Sequence, residues 1–136
     1  MATLDYRSSR EIALNEVLNL YKANGWSAAE KPERLHNALL NSETIVSAWD
    51  GERLVGLGNA ISDGFLVVYY PHLLVLPDYH GRGVGREIMD RLKQRYEGYH
   101  QHMLIAEFTT VEFYERMGFV RAGKTVPMWI YAGSDH

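Results

Sequence analysis

The 136-residue sequence contains no cysteine. That removes disulfides, thiolate metal sites and a cysteine nucleophile together, and leaves the redox compartment unspecified. No apolar run approaches the ~18 residues of a membrane-spanning helix. The stretch from Met1 to Val17 has no apolar core of signal-peptide length, so a cytoplasmic protein without a membrane partner is expected. A basic excess is also missing. Lys plus Arg number 14 against 17 Asp plus Glu, for a net charge of -3, which argues against a nucleic-acid partner. Prolines are few and scattered, at 32, 71, 77 and 127, with no repeat, low-complexity tract or linker to divide the chain. One domain over residues 1–136 is expected. What is present is a 46% apolar, 12% aromatic composition, enough to bury a substantial core.

Leu4 to Arg7 reads as a short strand. Ser8 or Ser9 then reads as the cap of a helix with Ile12, Val17, Leu18, Leu20 and Tyr21 on its apolar stripe, stopped at Asn24-Gly25. Pro32 suits the first turn of a second helix, over which Leu35, Ala38 and Leu39 repeat at helical spacing. From Thr44 the pattern becomes β: three strands, TIVSAW, LVGLGNAI and FLVVYYPHLLVL, joined by Asp50-Gly51 and Asp63-Gly64 turns. Pro71 falls inside the third run, where it has no N–H for a ladder, so an edge, bulge or break is expected there. Val84, Ile88, Met89, Leu92 and Tyr96 mark a strong amphipathic helix. His102–Ala106 reads as a strand, Thr109–Met117 as a short helix stopped by Gly118, and Val126–Tyr131 as a last strand. The order βαα-βββ-αβα-β predicts an α/β (α+β) fold, a mixed sheet with helices on its faces.

Two segments compete as phosphate sites. Gly118–Thr125 fits G-x-x-x-x-G-K-[ST] letter for letter, but it follows a helical run and precedes a strand pattern, whereas a P-loop follows a strand and opens a helix. A nucleotide-binding role through Lys124 is therefore the third reading. His80–Gly85, HGRGVG, lies between a strand ending at Leu76-Pro77 and the strong helix. Its glycines let main-chain N–H groups converge at a helix N-terminus, where unpaired donors and the positive dipole end favour an anion. Arg82 and Arg86 add charge. The dinucleotide fingerprint fails, because Arg stands at 86 where it needs Gly. His100 and His102 have strand spacing but no third ligand, and no H-E-x-x-H occurs, so no metal is expected.

Read with its flanks, LLVLPDYHGRGVGREIMDRL (residues 73–92), and with VEFYERMGFV (residues 111–120), the loop resembles the GCN5-related N-acetyltransferase (GNAT) superfamily. There a strand, V-x-P, a Q/R-x-x-G-x-G/A loop and a helix bind acetyl-CoA. The order of elements and the SAWDGERLVGLGNAISDG hairpin also suit the family, whose central sheet is mixed and mostly antiparallel. His80 stands where the family usually has Gln or Arg. The resemblance implies that the main chain of Leu74 and Val75 bonds the pantetheine arm, and that N–H groups of His80, Gly81, Arg82, Gly83, Val84, Gly85 and Arg86 hold the pyrophosphate. It also implies that Pro71 marks the strand irregularity beside which the cofactor threads.

Tyr114 matches the family's tyrosine facing the cofactor sulfur. A phenol with a reference pKa near 10 can donate to a departing thiolate as general acid. Phe113 and Met117 are the better core pair on spacing, which leaves Tyr114 to point elsewhere. An acceptor amine with a pKa of ~10 is mostly protonated at pH 7, so a base or water relay is required. His72 has the suitable pKa, although a bulge at Pro71 makes its facing unreadable; Asp63, Tyr70 and Glu107 are rivals. In the family, the connection between the first two helices borders the acceptor site, which makes Trp26 and Tyr21, with Asp63, candidate acceptor-pocket residues.

The expected activity is transfer of acetyl from acetyl-CoA to a primary amine of a small molecule or peptide, by direct attack in a ternary complex. The lack of cysteine fits direct attack. The alternative is a non-catalytic acyl-CoA-binding module, and family habit admits a homodimer.

Overall fold

The computed structural model describes residues 3–135. Strand β1 (Asp5–Arg7) leads into helix α1 (Leu14–Ala23), a 3-10 turn over Ser27–Glu30 and helix α2 (Pro32–Leu40). Strands β2 (Thr44–Asp50), β3 (Arg53–Ser62), β4 (Val67–Tyr69) and β5 (Leu73–Val75) follow. A 3-10 turn over Pro77–Tyr79, helix α3 (Val84–Arg95), strand β6 (Gln101–Met103) and helix α4 (Val111–Glu115) complete the order. This is a mixed α/β fold with a mostly antiparallel, open sheet: β1, β2, β3 and β4 are antiparallel neighbours, and β6 joins β4 in parallel.

Helix α3 sits close to the sheet because two small residues let it. A Cβ added at Gly56 would lie 2.9 Å from Ile88 Cδ1, and one at Gly58 would lie 2.8 Å from Ile88 Cγ2. Side chains alternate along a strand, so Val55 and Leu57 turn to the other face, where α1 packs. Val17, Leu20 and Tyr21 on α1, Leu35 and Leu39 on α2, and Ile88, Met89 and Leu92 on α3 close over the sheet as one buried cluster. Each such side chain contributes about 1.5–3 kcal/mol when removed from water.

Three expectations are corrected. Helix α1 begins after Ala13 with no side-chain cap; the Ser9 hydroxyl instead accepts the Glu11 N–H at 3.0 Å, a local turn that competes with helix. Ile12 is buried ahead of the helix rather than on it. The third strand run breaks over Tyr70-Pro71-His72 into two strands, one of the outcomes expected at Pro71, because proline cannot donate to the ladder. Val126–Tyr131 is not a strand: it pairs with none of the six strands, and Met128 and Ile130 are wholly exposed. A β-type composition makes a strand only where an edge is offered to it. Among the described residues, no helix is long and apolar enough to cross a membrane.

Candidate active site

The break at Pro71 splits the sheet. Strand β3 pairs with β5 through Gly56–Gly58 and with β4 through Ile61 and Ser62. β6 follows β4, so among the described residues the edge of β5 away from β3 carries no strand. The main-chain direction along this edge follows from the ladder. Leu76 N–H donates to Val55 O at 2.8 Å and Asn59 N–H to His72 O at 3.2 Å, so with a period of two the Leu74 main chain also faces β3, opposite Leu57. Leu73 and Val75 therefore turn their N–H and C=O groups to the open side. The imidazole of His80 confirms the direction, with Nε2 2.8 Å from Val75 O. Of the expected pair Leu74 and Val75, only Val75 turns its main chain to the open side, with Leu73 beside it. Strand parity was the missing signal, readable only once β3 is known to be the partner.

The loop after β5 ends at the start of α3. Tyr79 donates its hydroxyl to Asp50, and the guanidinium of Arg82 lies over its ring at 4.9 Å. Gly81 and Gly83 have φ of +76° and +78°, the left-handed region that side chains disfavour. Gly83 is the residue before the helix, and the first helical bond is from Glu87 N–H to Gly83 O at 3.0 Å. The N–H groups of Val84, Gly85 and Arg86 consequently lie ahead of the helical ladder. A Cβ at Gly85 would meet Phe113 Cζ at 3.5 Å and Val75 Cγ2 at 3.7 Å, so β5, the α3 start and α4 converge on this glycine. Arg86 is exposed, 3.8 Å from the Asp90 carboxylate, an ion pair of little energetic consequence.

Tyr114 sits beside this junction on α4, its ring edge-on to Phe113 and Phe119. Burial, with the Glu107 carboxylate nearby, pushes its phenol up to about 12. It therefore keeps its proton at neutral pH and remains a donor. Met117, buried, provides the core contact expected of it, and its carbonyl accepts from the Lys93 ammonium.

A second cluster lies where α1 packs on the sheet. His72, Tyr21 and Trp26 form a triangle of edge-on rings with centroids 5.2–5.7 Å apart. The Tyr21 hydroxyl is 2.7 Å from His72 Nδ1, and burial pushes that phenol well above its ordinary range. Asn59, buried in β3, holds the break: its Oδ1 accepts the His72 N–H at 3.0 Å and its Nδ2 donates to Ser42 Oγ at 3.0 Å. The signal for it was an asparagine inside an otherwise apolar strand.

Tyr70 and His72 are two apart, yet they face different partners. Tyr70 bonds His102 Nδ1 at 2.7 Å and packs against Tyr96, the residue that follows α3, and Phe119. This is a consequence of the break between β4 and β5. Asp63 is not part of either cluster. Its Oδ1 accepts the N–H groups of Phe65, Leu66 and Val67 at 2.8–3.2 Å, and these bonds hold its carboxyl below the usual range. Its Oδ1 caps the turn between β3 and β4, away from the His72 and Tyr70 rings. In the Gly118–Thr125 segment, Thr125 turns back on Ala122 and no helix follows. No group of three His, Asp or Glu side chains able to hold a metal occurs among the described residues.

The site is thus a mixed α/β sheet that parts beside a glycine loop at the start of a helix. The chain belongs to the GNAT acetyltransferases: the acetyltransferase (GNAT) domain model matches residues 12–128. The N-acetyltransferase ycf52 of Pyropia yezoensis, itself uncharacterised, is 30% identical over 121 residues, covering 84% of this chain and 68% of the relative. A GNAT-family acetyltransferase of Streptococcus pneumoniae is 32% identical, with TM-score 0.82 over 96% of this chain and 99% of that one. The aminoglycoside N-acetyltransferase AAC(6')-Iy, solved with CoA, shares the fold alone: 14% identity and TM-score 0.73 over 97% of each chain.

Proposed function

We propose that this chain is an acetyl-CoA-dependent N-acetyltransferase that acetylates a primary amine of a small molecule or peptide by direct attack in a ternary complex. The observation that carries the reading is the convergence of three features at Gly85: the open edge of β5, the unbonded start of α3, and α4 with Tyr114. The donor set fits CoA. Main-chain N–H groups from Gly81 to Arg86 suit a pyrophosphate, because they are fixed dipoles at a positive helix end. Leu73 and Val75 present amide groups to an amide-bearing arm, with His80 releasing Val75 O on binding. The bound cosubstrate supplies an activated acetyl thioester.

Tyr114, protonated at neutral pH, donates to the departing sulfur. His72 takes the proton of the attacking amine at Nε2. For this, Nδ1 carries the ring hydrogen and donates it to the Tyr21 oxygen, the tautomer that leaves the lone pair on Nε2. Trp26 walls the acceptor side, where Lys22, Ser27 and Glu30 line an open depression next to it. The reading places the protein among cytoplasmic enzymes, as one domain without a metal.

The test uses the absent cysteine. A thiol reagent sees only released CoA, so acetyl-CoA and a panel of polyamines, aminoglycosides, amino-acid derivatives and peptide amines can be screened without background. Amine-dependent thiol release with a product 42 mass units heavier, one acetyl replacing one hydrogen (roughly 10-fold or more above the amine-free rate), is expected. Cofactor binding without release on any amine would leave only a binding module.

A further inference from the structure

The break at Pro71 does more than interrupt a ladder. Val68 pairs with Ser62 and Leu73 with Gly58, so four steps along β3 face five along β4 and β5. One extra residue reverses the facing of everything after it. Before the break, Val68 lies opposite Ser62, which shares with Gly58 the face on which α3 packs. Tyr70, two residues on, keeps that face and meets Tyr96 just past the helix. After the break, Leu74 lies opposite Leu57 on the face of α1, and His72 shares that face with Tyr21. An unbroken strand would put His72 on the α3 face beside Tyr70. The half-turn at Pro71 is what aims the imidazole at Tyr21 and Trp26.

Both sides of the half-turn are tied. On the far side, Asn59 Oδ1 accepts the His72 N–H at 3.0 Å, and the Tyr21 hydroxyl stands 2.7 Å from the ring. On the near side, the Tyr70 N–H donates to Met103 O at 3.0 Å, carrying the ladder with β6 one residue beyond β4. The Tyr70 hydroxyl stands 2.7 Å from His102 Nδ1. His102 is the cross-strand partner of Val68, so Tyr70 is its diagonal neighbour on the same face. Tyr70 is buried, its ring against Tyr96 and Phe119, with the Lys93 ammonium near the imidazole of His102. Burial pushes the Tyr70 phenol up, which keeps it a neutral hydrogen-bond partner rather than a base. The acetyl-transfer chemistry uses neither Tyr70 nor His102.

We propose, on the reading of His72 as the base, that Tyr70 and His102 are positioning residues whose hydrogen bond fixes the near side of the half-turn at Pro71 and thereby the facing of His72. Tyr70 cannot leave the α3 face without stranding a hydroxyl in a buried site, a costly loss. Pro71 has its φ locked by the ring, so it passes the orientation of Tyr70 on to His72 with little freedom to absorb a change. The bond on one face of the sheet therefore braces a side chain on the other.

The test follows the imidazole nitrogens of the 136-residue chain by nitrogen-15 NMR, with steady-state kinetics beside it. Tyr70→Phe keeps the ring and its contacts with Tyr96 and Phe119. The His72 resonances should shift, reporting a weakened bond to Tyr21 on the opposite face, and kcat should fall roughly 10-fold with the acetyl-CoA KM within about twofold. His102→Leu should have the same effect, and the two changes together should cost no more than either alone, because they remove one bond. His102→Asn, whose amide reaches the Nδ1 position, should restore both readouts. The NMR reading needs no turnover, so a His72 response in a chain that acetylates no amine would support the brace while defeating the base. Unshifted His72 resonances in folded Tyr70→Phe and His102→Leu proteins, or losses that add in the double variant, would overturn the proposal.

Discussion

The hydroxyl of Tyr21 stands 2.7 Å from Nδ1 of His72 and joins α1 to the break between β4 and β5. Tyr21 is fully buried, so its phenol does not ionise at working pH and serves the imidazole only as a neutral hydrogen-bond partner. Tyr21→Phe keeps the ring and its contacts with Trp26 and His72. The expected result is kcat lowered roughly 10- to 100-fold with the acetyl-CoA KM little changed, and an altered acid limb in the pH–rate profile. Loss of stability with an unaltered pH profile would make Tyr21 a packing residue only.

Gly83 carries the second prediction. Its φ of +78° is closed to most side chains, although nothing lies within 4 Å of an added Cβ. Gly83→Val should therefore act through the backbone, re-aiming the N–H groups at the α3 start and weakening acetyl-CoA binding about 10-fold or more in calorimetry. Lys124→Ala should leave that affinity within about twofold, because its exposed turn lacks the helix a P-loop needs.

Tyr114→Phe tests the proton donor. With the phenol raised to about 12, the proton is held throughout the neutral range. Its removal should lower kcat by roughly 10- to 1000-fold with a smaller change in the acetyl-CoA KM, as for an interaction made mainly in the transition state. The variant should melt within a few degrees of the parent, since a single hydrogen bond contributes about 1 kcal/mol. Undiminished turnover in a folded variant would remove Tyr114 from the chemistry.

How far the sequence carried this picture depended on what each residue's neighbours could reveal. The α3 stripe Val84, Ile88, Met89 and Leu92, with Tyr96 just past the helix end, was legible because a helix encodes its own period. So was the glycine loop before it, because its special backbone geometry needs glycine locally. Facing was harder. Leu74 was expected to meet a ligand through its main chain, but that depends on which side β3 pairs, a non-local fact. Pro71 announced a break without telling that Tyr70 would meet His102 and His72 would meet Tyr21. Val126–Tyr131 has the composition of a strand, yet composition does not say whether an edge is offered to it.

Asp63 illustrates the same point and gives the fourth prediction. Its carboxylate accepts three main-chain N–H groups in the β3–β4 turn, which lowers its pKa. A depressed carboxylate pKa means the unfolded chain takes up the proton first as pH falls. The stabilisation is thus complete above the ordinary carboxylate value of about 4 and is lost as pH drops through the folded value. Asp63→Ala should lower Tm at pH 7, with a smaller difference from the parent below about pH 3, and leave kcat/KM unchanged. A large loss of kcat/KM at unchanged Tm would return Asp63 to the acceptor site.

The most direct test of the account is transfer itself: acetyl-CoA labelled in the acetyl group, incubated with the purified chain and each amine of the panel. The account predicts label on the amine, appearing at a rate that falls together in Gly83→Val and Tyr114→Phe and persists in Lys124→Ala. Acetyl-CoA that binds but delivers no label to any amine, or label transfer indifferent to both Gly83 and Tyr114, would contradict it.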